Sequence, residues 1–462
     1  MGKKEHVYSK KTLSMSCGRV ASVLYLTGLT TPYTTLFLTT MVGIPATIYG
    51  HMNLINTVIG ILLIPVVGYL LQKLNLPFGK ARSFQYISGL IASIFIILLF
   101  TDFGLENGMT KYIIYGAILI CMHSFYNPAS SASYVLFSLM TETSEERANA
   151  SAVQVQVANI VKLVLNIIMV PLIVALGKIA GKEKLGYTFY AVLIAVAVYI
   201  CFLVFANAGC EYDPSKKDIE AGMVAKGHPV EKKKSDASVY EMMCSFFSLA
   251  PVSLVGSKLF RDMAYFSIAG MVSFYYLYVA KSSAMLTVYF SISAFAALAG
   301  SFMSPVMVKK FSPKTVYIIG TIIYLAAILA AYFLGTHAVI FTALLCLVQL
   351  GYGISSSLET GLYADAVDYT VLKRGTDVRP FLMSCLTVPG KISAMLSPAI
   401  LGFALATIHF DKANVTPQSA EGIRVLLSVM PGILIGLSLV LGVLYPVTAE
   451  KLQALRKQKV EN

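Results

Sequence analysis

The sequence lacks tryptophan and has few charged residues. Of its 462 residues, 57% are hydrophobic and only 13% are charged, and the mean hydropathy is +0.73. Soluble domains carry about twice that share of charge, so no large soluble domain is predicted. Any stacking against the ring of a bound molecule would use tyrosine or phenylalanine, because there is no tryptophan.

Motifs for metal, redox and nucleotide chemistry are also missing. The seven cysteines include no C-x-x-C pair, and the six histidines show neither H-E-x-x-H nor an i, i+4 pairing. No Walker A loop and no glycine-rich dinucleotide turn is present, which argues against a pump driven directly by ATP. We therefore predict no cofactor, no bound metal and no enzymatic activity.

The net charge of +13 does not indicate nucleic-acid binding. The lysines and arginines cluster in short connectors between apolar segments, where the positive-inside rule accounts for them. Dense basic connectors precede the first apolar segment, follow the second, sixth, eighth and tenth, and recur at the C-terminus. Both termini are therefore predicted to be cytoplasmic, with the lipid bilayer as the partner.

Apolar stretches near the roughly 20 residues that an α-helix needs to cross a bilayer recur between Arg19 and Thr448. Lipid offers no partner for an open backbone N–H or C=O group, so these segments must be helices. A membrane barrel would alternate apolar and polar residues, and these segments do not. The predicted spans are 19–41, 46–72, 83–101, 112–140, 150–177, 186–207, 250–280, 284–308, 315–335, 338–364, 382–408 and 424–446.

One polar stretch divides the spans into six plus six. Glu211 to Glu241 contains proline, glycine, aspartate and the lysine run 232–234, the composition of a solvated linker. We predict an all-α polytopic membrane protein with twelve transmembrane helices. Its parts are a cytoplasmic N-terminus 1–18, a six-helix bundle 19–207, a cytoplasmic linker 208–249, a second bundle 250–446 and a cytoplasmic C-terminus 447–462. Two six-helix halves around a midplane cavity resemble the major facilitator superfamily.

The ends of the chain and one outer connector bear on location. The first apolar stretch has no small-residue cleavage pattern, so we expect it to remain as a span of a multi-pass cell-membrane protein. Asn414-Val415-Thr416 is a glycosylation sequon on the predicted outer side.

A polar stripe runs along predicted span 10. It consists of Gln349, Gly353, Ser356 and Glu359 or Thr360, at three- and four-residue steps on an otherwise apolar helix. Glu359 should therefore face into the protein, since a charge at the bilayer centre costs roughly 2.5–3.5 kcal/mol. Either it reaches water or caps a neighbour near the cytoplasmic end, or it accepts a proton or binds a cation, because burial favours the neutral carboxyl group.

Predicted span 11 contains a lysine. Lys391 follows Pro389-Gly390 and lies at least two turns inside the span, too deep for its side chain to reach the surface easily. A buried lysine is expected to pair with an acid. The nearest candidates in sequence are Glu359, Asp365 and Asp368, and the pairing is either functional or structural.

Predicted span 5 has a second polar stripe. Asn159, Lys162 and Asn166 share one helix face, and Gln154 lies a further turn back. This stripe either contacts the substrate, or Lys162 only neutralises an acid from another helix.

Several motifs together resemble the glycoside-pentoside-hexuronide cation symporters, the melibiose-carrier family. In chain order they are Pro65-Val66-Val67-Gly68, Gly79-Lys80-Ala81-Arg82, Thr143-Ser144-Glu145-Glu146-Arg147, Tyr363-Ala364-Asp365-Ala366-Val367-Asp368-Tyr369, Lys373-Arg374-Gly375 and Pro389-Gly390-Lys391. The last three resemble the family's A-D-x-x-D-Y…K-x-G…K signature and are the most specific part. The resemblance implies a major facilitator fold, cytoplasmic termini and uptake of a sugar or glycoside with Na+, Li+ or H+.

The chain departs from this family where the family binds its cation and its sugar. The two span 2 positions that are aspartate in cation-coupled relatives are Gly60 and Ile64 here. The span 1 acid corresponds to Leu24 and the span 5 arginine to Gln154. Because Na+ prefers anionic oxygen ligands, the family's Na+ site is not expected. Either Glu359 couples to H+ instead, or the protein is a facilitator, or its substrate supplies the missing negative charge.

The residues predicted to bind substrate come from both halves. They are Tyr25, Tyr33, Asn56, Tyr126, Asn127, Gln154, Asn159 and Lys162 in the first half, and Tyr275 and Lys391 in the second. Uncharged polar groups of the first half either hydrogen-bond a hydroxylated ligand or join helices to one another. Lys162, Lys391 and Arg261 favour an anionic solute, such as a glycuronide, over a neutral glycoside.

Charges near the cytoplasmic ends of the spans are predicted to form an inner gate. The candidates are Glu146 and Arg147 from one half and Asp365, Asp368 and Arg374 from the other, all placed on cytoplasmic loops. Ion pairs among them would hold the gate closed in the outward-open state.

We therefore predict a secondary transporter that moves a glycoside, glycuronide or related organic solute by alternating access. Glu359 and Lys391 are the predicted coupling residues, H+ is the predicted coupling cation, and the functional unit is expected to be a monomer. The alternatives are an uncoupled facilitator of an anionic or amphipathic solute and a non-transporting sensor with a transporter fold.

Overall fold

The computed structural model describes residues 8–30, 33–74, 76–106, 108–221, 223, 237–334, 337–408 and 416–461, and this part of the chain is mainly helical. The lysine run 232–234 and the sequon residues Asn414 and Val415 lie outside the described residues. The helices are α1 (Lys10–Tyr25), α2 (Tyr33–Leu36), α3 (Ala46–Lys73), α4 (Lys80–Leu99), α5 (Met109–Met140), α6 (Ser144–Ala180), α7 (Glu183–Ala208), α8 (Lys216–Glu220), α9 (Val239–Phe246), α10 (Leu249–Phe274), α11 (Ser283–Val308), α12 (Pro313–Leu334), α13 (Ala338–Arg374), α14 (Arg379–Ser384), α15 (Val388–Thr407), α16 (Pro417–Leu444) and α17 (Ala449–Glu461).

Each predicted span coincides with a helix or a pair of helices. The first span corresponds to α1 and α2, the eleventh to α14 and α15, and the others each to one long helix. Among the described helices, eight are long and apolar enough to cross a membrane alone, or nine if α9 continues into α10. The all-α membrane fold predicted from hydropathy is confirmed.

The described part of the first span contains both α-helical and π-helical segments. Helix α1 begins at Lys10, nine residues before the predicted start of the span, where the Ser9 side chain accepts a hydrogen bond from the Thr12 backbone N–H at 3.2 Å. π-Helical turns then occupy Leu26–Thr30 and Phe37–Met41. A third π turn, Tyr275–Val279, follows α10. Apolar periodicity gives no signal for such turns, in which the hydrogen bond spans five residues in place of the four of an α-helix.

Two helices extend well beyond their predicted spans. α6 and α13 are each 37 residues long. The predicted gate residues therefore lie on helices and not on loops; they are Glu146, Arg147, Asp365, Asp368 and Arg374. α13 ends at Arg374 and is capped by Gly375, whose φ of 77° is the left-handed conformation that glycine adopts at helix C-termini.

Contacts divide the chain into two compact units. Unit 1 comprises Met1–Thr143, Val153–Met242 and Thr376–Cys385, and unit 2 comprises Ser144–Ala152, Met243–Gly375 and Leu386–Asn462. In unit 1, the Tyr25 ring lies flat on the Tyr126 ring with 3.6 Å between centroids. His123 meets Tyr25 edge-on at 5.6 Å. The two tyrosine rings belong to the apolar core, to which α1, α3, α4, α5, α6 and α7 contribute.

In unit 2, α13 packs closely against α11 and α12 through glycine. A Cβ atom at Gly351 would lie 2.6 Å from the backbone nitrogen of Tyr324 and 2.7 Å from the carbonyl oxygen of Gly320. A Cβ atom at Gly353 would overlap the carbonyl oxygen of Ala297. Small residues of this kind let membrane helices approach backbone to backbone. The polar stripe of α13 is thereby brought close to its neighbours.

The predicted linker contains a buried carboxylate. Asp213 Oδ1 accepts the backbone N–H of Lys80 at 2.9 Å, and Oδ2 accepts those of Ala81 and Arg82 at 2.8 and 3.0 Å. These amides form the first turn of α4, whose N–H groups have no partner within the helix. Burial raises the pKa of Asp213, while the three N–H groups and the Arg82 charge oppose that rise. This part of the linker is therefore not solvated.

Asp213→Ala should destabilise unit 1, because the first turn of α4 would lose its acceptor. We expect a loss of about 1–3 kcal/mol in unfolding free energy, measured as a lower thermal midpoint of helical circular dichroism in detergent. Asp218→Ala is the matched control, since the Asp218 carboxylate accepts from the backbone N–H and the hydroxyl of Ser215 at the start of the short helix α8. Equal losses in the two variants would contradict the capping role of Asp213.

Candidate functional site

Four ionisable side chains of unit 2 form what we call the charge cluster: Lys258, Arg261, Asp262 and Glu359. Lys258 Nζ lies 2.6 Å from Glu359 Oε1 and 2.8 Å from Asp262 Oδ2. Arg261 Nη2 donates to Glu359 Oε2 and lies 3.7 Å from Asp262 Oδ1. Two cations and two carboxylates give the cluster a formal charge of zero.

Helix geometry explains why these groups meet. Lys258, Arg261 and Asp262 are spaced i, i+3, i+4, so α10 presents them on one face. Glu359 comes from the buried polar stripe of α13 and is 8% exposed, while Arg261 is fully buried. Removing a single charge from water costs several kcal/mol, so each member requires its partners.

Tyrosine rings surround the arginine of the cluster. The guanidinium carbon of Arg261 lies 5.6 Å from the ring centroids of both Tyr317 and Tyr352. Tyr265 stacks on Tyr352 with 4.5 Å between centroids and 17° between planes. Aromatic faces stabilise a cation without neutralising it. Among the described residues, Arg261 Nε and Nη1 have no hydrogen-bond partner.

Lys258 was missed in the sequence analysis, although Arg261 and Glu359 were singled out there. The signal available was its position one turn before Arg261-Asp262 inside a predicted span, where a third charge on the same face requires compensation. Lys391 lies half-buried on α15, a helix tied to α10 by the Ser393 hydroxyl, which donates to the Leu259 carbonyl at 3.2 Å.

The three acids suggested as partners for Lys391 contact other cations. Glu359 binds Lys258 and Arg261. Asp365 and Asp368 bind Arg147 of α6, whose Nη1 lies 2.8 Å from Asp365 Oδ1 and whose Nη2 lies 2.7 Å from Asp368 Oδ2. Arg147 and its two acids form a second ionic site inside unit 2, which we call the arginine clamp.

The C-terminal helix also reaches the arginine clamp. Arg456 Nη2 of α17 lies 2.8 Å from Asp368 Oδ2, the same oxygen that Arg147 contacts. Arg147 and Asp368 are fully buried. Of the other predicted gate residues, Arg374 is exposed and donates to the Cys244 carbonyl at 2.8 Å, and Glu146 is half-buried.

In unit 1, several of the predicted substrate residues are buried within the bundle. Tyr25 and Tyr126 form the stack described above, and Asn127 is 7% exposed beside them in sequence. Gln154 Nε2 donates to the Met15 carbonyl at 2.9 Å. Gln154 also lines a small cavity with Arg19, whose Nη1 donates to the Tyr134 hydroxyl at 3.1 Å.

The remaining predicted substrate residues lie in several places. Tyr33 faces Tyr190 with 5.9 Å between ring centroids, Asn56 is buried on α3, and Asn159 and Lys162 are half-buried on α6. Tyr275 lies in the aromatic core of unit 2, 4.3 Å from the Phe341 ring. Their roles in binding stay predictions.

Long apolar helices with buried charge clusters are the organisation of a polytopic membrane transporter. The family model for MFS/sugar transport proteins matches residues 14–449, and the chain belongs to this family. The resemblance to the glycoside-pentoside-hexuronide symporters and the prediction of a secondary transporter for sugar-type solutes are thereby confirmed.

Named relatives match nearly the whole chain. A protein of Escherichia coli (strain K12) provisionally named a 2,3-dihydroxypropane-1-sulfonate exporter is 24% identical over 435 residues, covering 92% of this chain and 89% of the relative. A provisionally named sulfoquinovose importer of the same organism is 25% identical over 429 residues, covering 91% and 87%. The solved structure of FucP, a major facilitator superfamily transporter in the outward conformation, covers 96% of this chain and 100% of that chain, with a TM-score of 0.63 and 12% identity. At that identity the likeness shows the fold alone.

Proposed function

We propose that the protein is an H+-coupled symporter of a glycoside, glycuronide or related organic solute, with Glu359 as the coupling carboxylate. It acts as a monomer in the cell membrane with both termini in the cytoplasm, and it is not an enzyme. The observation that supports this proposal is the burial of Glu359 between Lys258 and Arg261. The two span 2 positions that are aspartate in the cation-coupled symporters this chain resembles are Gly60 and Ile64 here, so neither offers a carboxylate.

A coupling group must change its contacts when it binds the cation. As a carboxylate, Glu359 attracts both Lys258 and Arg261; as a carboxylic acid, it keeps hydrogen bonding but loses most of that attraction. Protonation therefore releases α13 from the cationic face of α10. An ionisable residue inside a membrane helix with this behaviour is typical of proton-coupled transporters.

The charges and rings of unit 2 support an acidic sugar as the solute. Arginine binds carboxylate and sulfonate groups through paired N–H donors, and lysine adds a point charge. The Tyr265–Tyr352 stack offers an aromatic face of the kind that sugar rings pack against. Two relatives carry names that refer to sulfonate solutes, which agrees with a cationic binding site. Lys391 and Lys162 are kept as further candidate contacts.

The arginine clamp is the inner gate in this proposal. Arg147 joins the first turn of α6 to the cytoplasmic end of α13, and Arg456 adds α17 to the same carboxylate. Breaking these pairs costs more than breaking an exposed ion pair, because Arg147 and Asp368 are buried. Such a site can hold one of the alternating states until the solute and the proton are bound.

Glu359→Gln should abolish accumulation driven by a proton gradient. Glutamine keeps the size and the hydrogen bonding of the side chain but cannot bind or release a proton. The proton gradient can therefore no longer drive accumulation of the solute. We expect the variant to equilibrate solute and to support solute exchange in proteoliposomes, whereas the wild type accumulates solute on the alkaline side. Glu421→Gln is the control, because Glu421 pairs with Arg424 at the exposed start of α16.

Three results would contradict parts of this proposal. If the Glu359→Gln variant accumulates solute to the wild-type level, Glu359 has a structural role and not a coupling role. Gradient-independent equilibration by the wild type would identify a facilitator. Binding of solute without flux would identify a sensor with a transporter fold.

A further inference from the structure

We infer that Lys258 and Arg261 bind the anionic group of the solute by displacing Glu359, which takes up the transported proton as it leaves them. The charge cluster is then a combined site in which one anion and one proton load together. This inference rests on the proposed function and adds the chemistry by which the two ligands are coupled. It begins from the arrangement of two cations and two carboxylates in one buried place.

The charge count favours joint loading. The cluster is neutral when empty, so a bound anion alone would leave it with one negative charge and a proton alone with one positive charge. Uncompensated charge is strongly disfavoured where water is excluded. An anion and a proton together restore neutrality. Each ligand therefore strengthens the binding of the other, and linkage makes this coupling equal in both directions.

Arg261 has two N–H donor atoms, Nε and Nη1, that are available to bind the anion. Its side chain is fully buried, and Nε and Nη1 have no hydrogen-bond partner among the described residues. Buried polar groups left in this state are uncommon and call for an explanation. The Tyr317 and Tyr352 rings hold the guanidinium in place while leaving those donors open. A carboxylate or a sulfonate, each with several acceptor oxygens, fits this set of donors.

Glu359 is the carboxylate that can leave. Asp262 lies on α10 one turn after Lys258, so the two side chains stay adjacent when α13 moves. Glu359 bridges the two cations from a different helix, so a shift of α13 or of its own side chain separates it from both. Asp262 then keeps the partnership with Lys258, and the solute replaces Glu359 at Arg261.

Other ionisable groups near Glu359 do not replace it in this role. Among the described residues, the other members of the cluster are Lys258, Arg261 and Asp262 of α10, and Tyr317 of α12 and Tyr352 of α13 lie beside Arg261. Lys391 lies on α15, which contacts α10. α11 has no charged residue between Ser283 and Val308. The ion pairs of α6 and α17 with α13 are made at Asp365 and Asp368, where Arg147 and Arg456 bind. The backbone of α6 at Arg147 and Ala148 also packs against Gly361 of α13.

The proton balance is simple. A proton from the medium on the binding side bonds to a Glu359 oxygen as the anion takes its place at the cations. When the anion leaves on the other side, Glu359 returns to Lys258 and Arg261 and releases the proton there. No bond of the solute is made or broken. Net movement of a monovalent anion with a proton carries no charge, so membrane potential should not drive it.

Calorimetric titration of the purified full-length protein tests this inference. The probes are methyl β-D-glucuronide, its 6-sulfonate analogue and, as the uncharged match, methyl β-D-glucoside. Repeating the titrations in buffers of different ionisation enthalpy measures the protons taken up on binding. We expect both anionic probes to bind with proton uptake and to weaken by about tenfold per pH unit once Glu359 is ionised in the free protein. Binding of only one anionic probe would identify which oxyanion the site accepts.

Variants separate the roles within the cluster. Glu359→Gln should bind the anionic probes without proton uptake and without the pH dependence. Lys258→Gln and Arg261→Lys should lose the anionic probes together with the proton uptake that accompanies them. Arg424→Gln removes a cation from α16, away from the cluster, and should behave as the wild type. If Glu359→Gln does not fold, proton uptake by the wild type still decides the question.

The outcomes distinguish this inference from the proposed function. Anion binding by the wild type without proton uptake would overturn the inference. Equal proton uptake with glucoside and glucuronide would also overturn it, but would leave Glu359 as the coupling acid of a neutral-sugar symporter. Failure of all three probes to bind, together with no uptake driven by a pH gradient, would overturn both.

Discussion

Arg147→Met is expected to destabilise unit 2 by about 3–5 kcal/mol, because two buried carboxylates would lose their shared cation. Asp365 is 4% exposed and Asp368 is fully buried, so water cannot replace the guanidinium. Arg456 would still pair with Asp368. The measurement is the thermal midpoint of helical circular dichroism for the purified protein in detergent.

The matched control for this variant is Arg456→Met. Arg456 contacts the same oxygen of Asp368, but its side chain is 27% exposed and Asp368 keeps Arg147 when it is removed. Its loss should cost at most about 1 kcal/mol. Adding Asp365→Asn and Asp368→Asn to Arg147→Met should recover part of the stability, since the uncompensated charges would be gone. Similar losses for Arg147→Met and Arg456→Met would contradict the importance of the buried pair.

The same arginine provides a test of the proposed gate. With the pairs to Asp365 and Asp368 broken, Arg147→Gln should populate the inward-open state more than the wild type does. A cysteine introduced by Thr360→Cys, one residue after Glu359 on α13, should then react faster with a thiol reagent added from the cytoplasmic side. Unchanged labelling in a variant that folds and binds solute would exclude the gate role of Arg147.

Gly353→Val is expected to have the second large effect, because α13 would be forced away from α11. The new Cβ atom would overlap the carbonyl oxygen of Ala297, a backbone atom that no rotamer change can move. Overpacking typically costs about 1–3 kcal/mol, and backbone contact places this substitution at the upper end. Transport should fall further than stability, since Glu359 lies less than two turns along the same helix. Both are measured on the purified variant, as the thermal midpoint and as proteoliposome uptake.

Gly436→Val is the control for helix propensity. A Cβ atom at Gly436 of α16 would meet no heavy atom within 4 Å. Replacing glycine in a helix is otherwise mildly stabilising, since glycine is the poorest helix former after proline. The control should therefore keep both stability and transport. A Gly353→Val variant that transports normally would show that the close packing of α11 and α13 does not position Glu359.

Some parts of the site could be read from particular residues. The spacing of Gln349, Gly353 and Glu359 placed one polar face on span 10, and burial of Glu359 at 8% exposure agrees with it. Arg147, Asp365 and Asp368 were recognised as a set through the motifs that contain them. Lys258 was not identified because no motif includes it. The polar first turns of α1 were not predicted to be helical, because hydropathy marks only the apolar part of a helix.

The sequence by itself determined that this protein crosses the membrane as helices, that it is a transporter of the sugar-transport family, and that Glu359 points inward. These conclusions depend on hydropathy, periodicity and motifs, which are local properties of the chain. Only the tertiary structure decided which charges meet: Glu359 with Lys258 and Arg261, and Arg147 with Asp365 and Asp368. The physical reason is that periodicity specifies the face of a helix on which a charge lies, whereas its partner depends on which helix packs against that face.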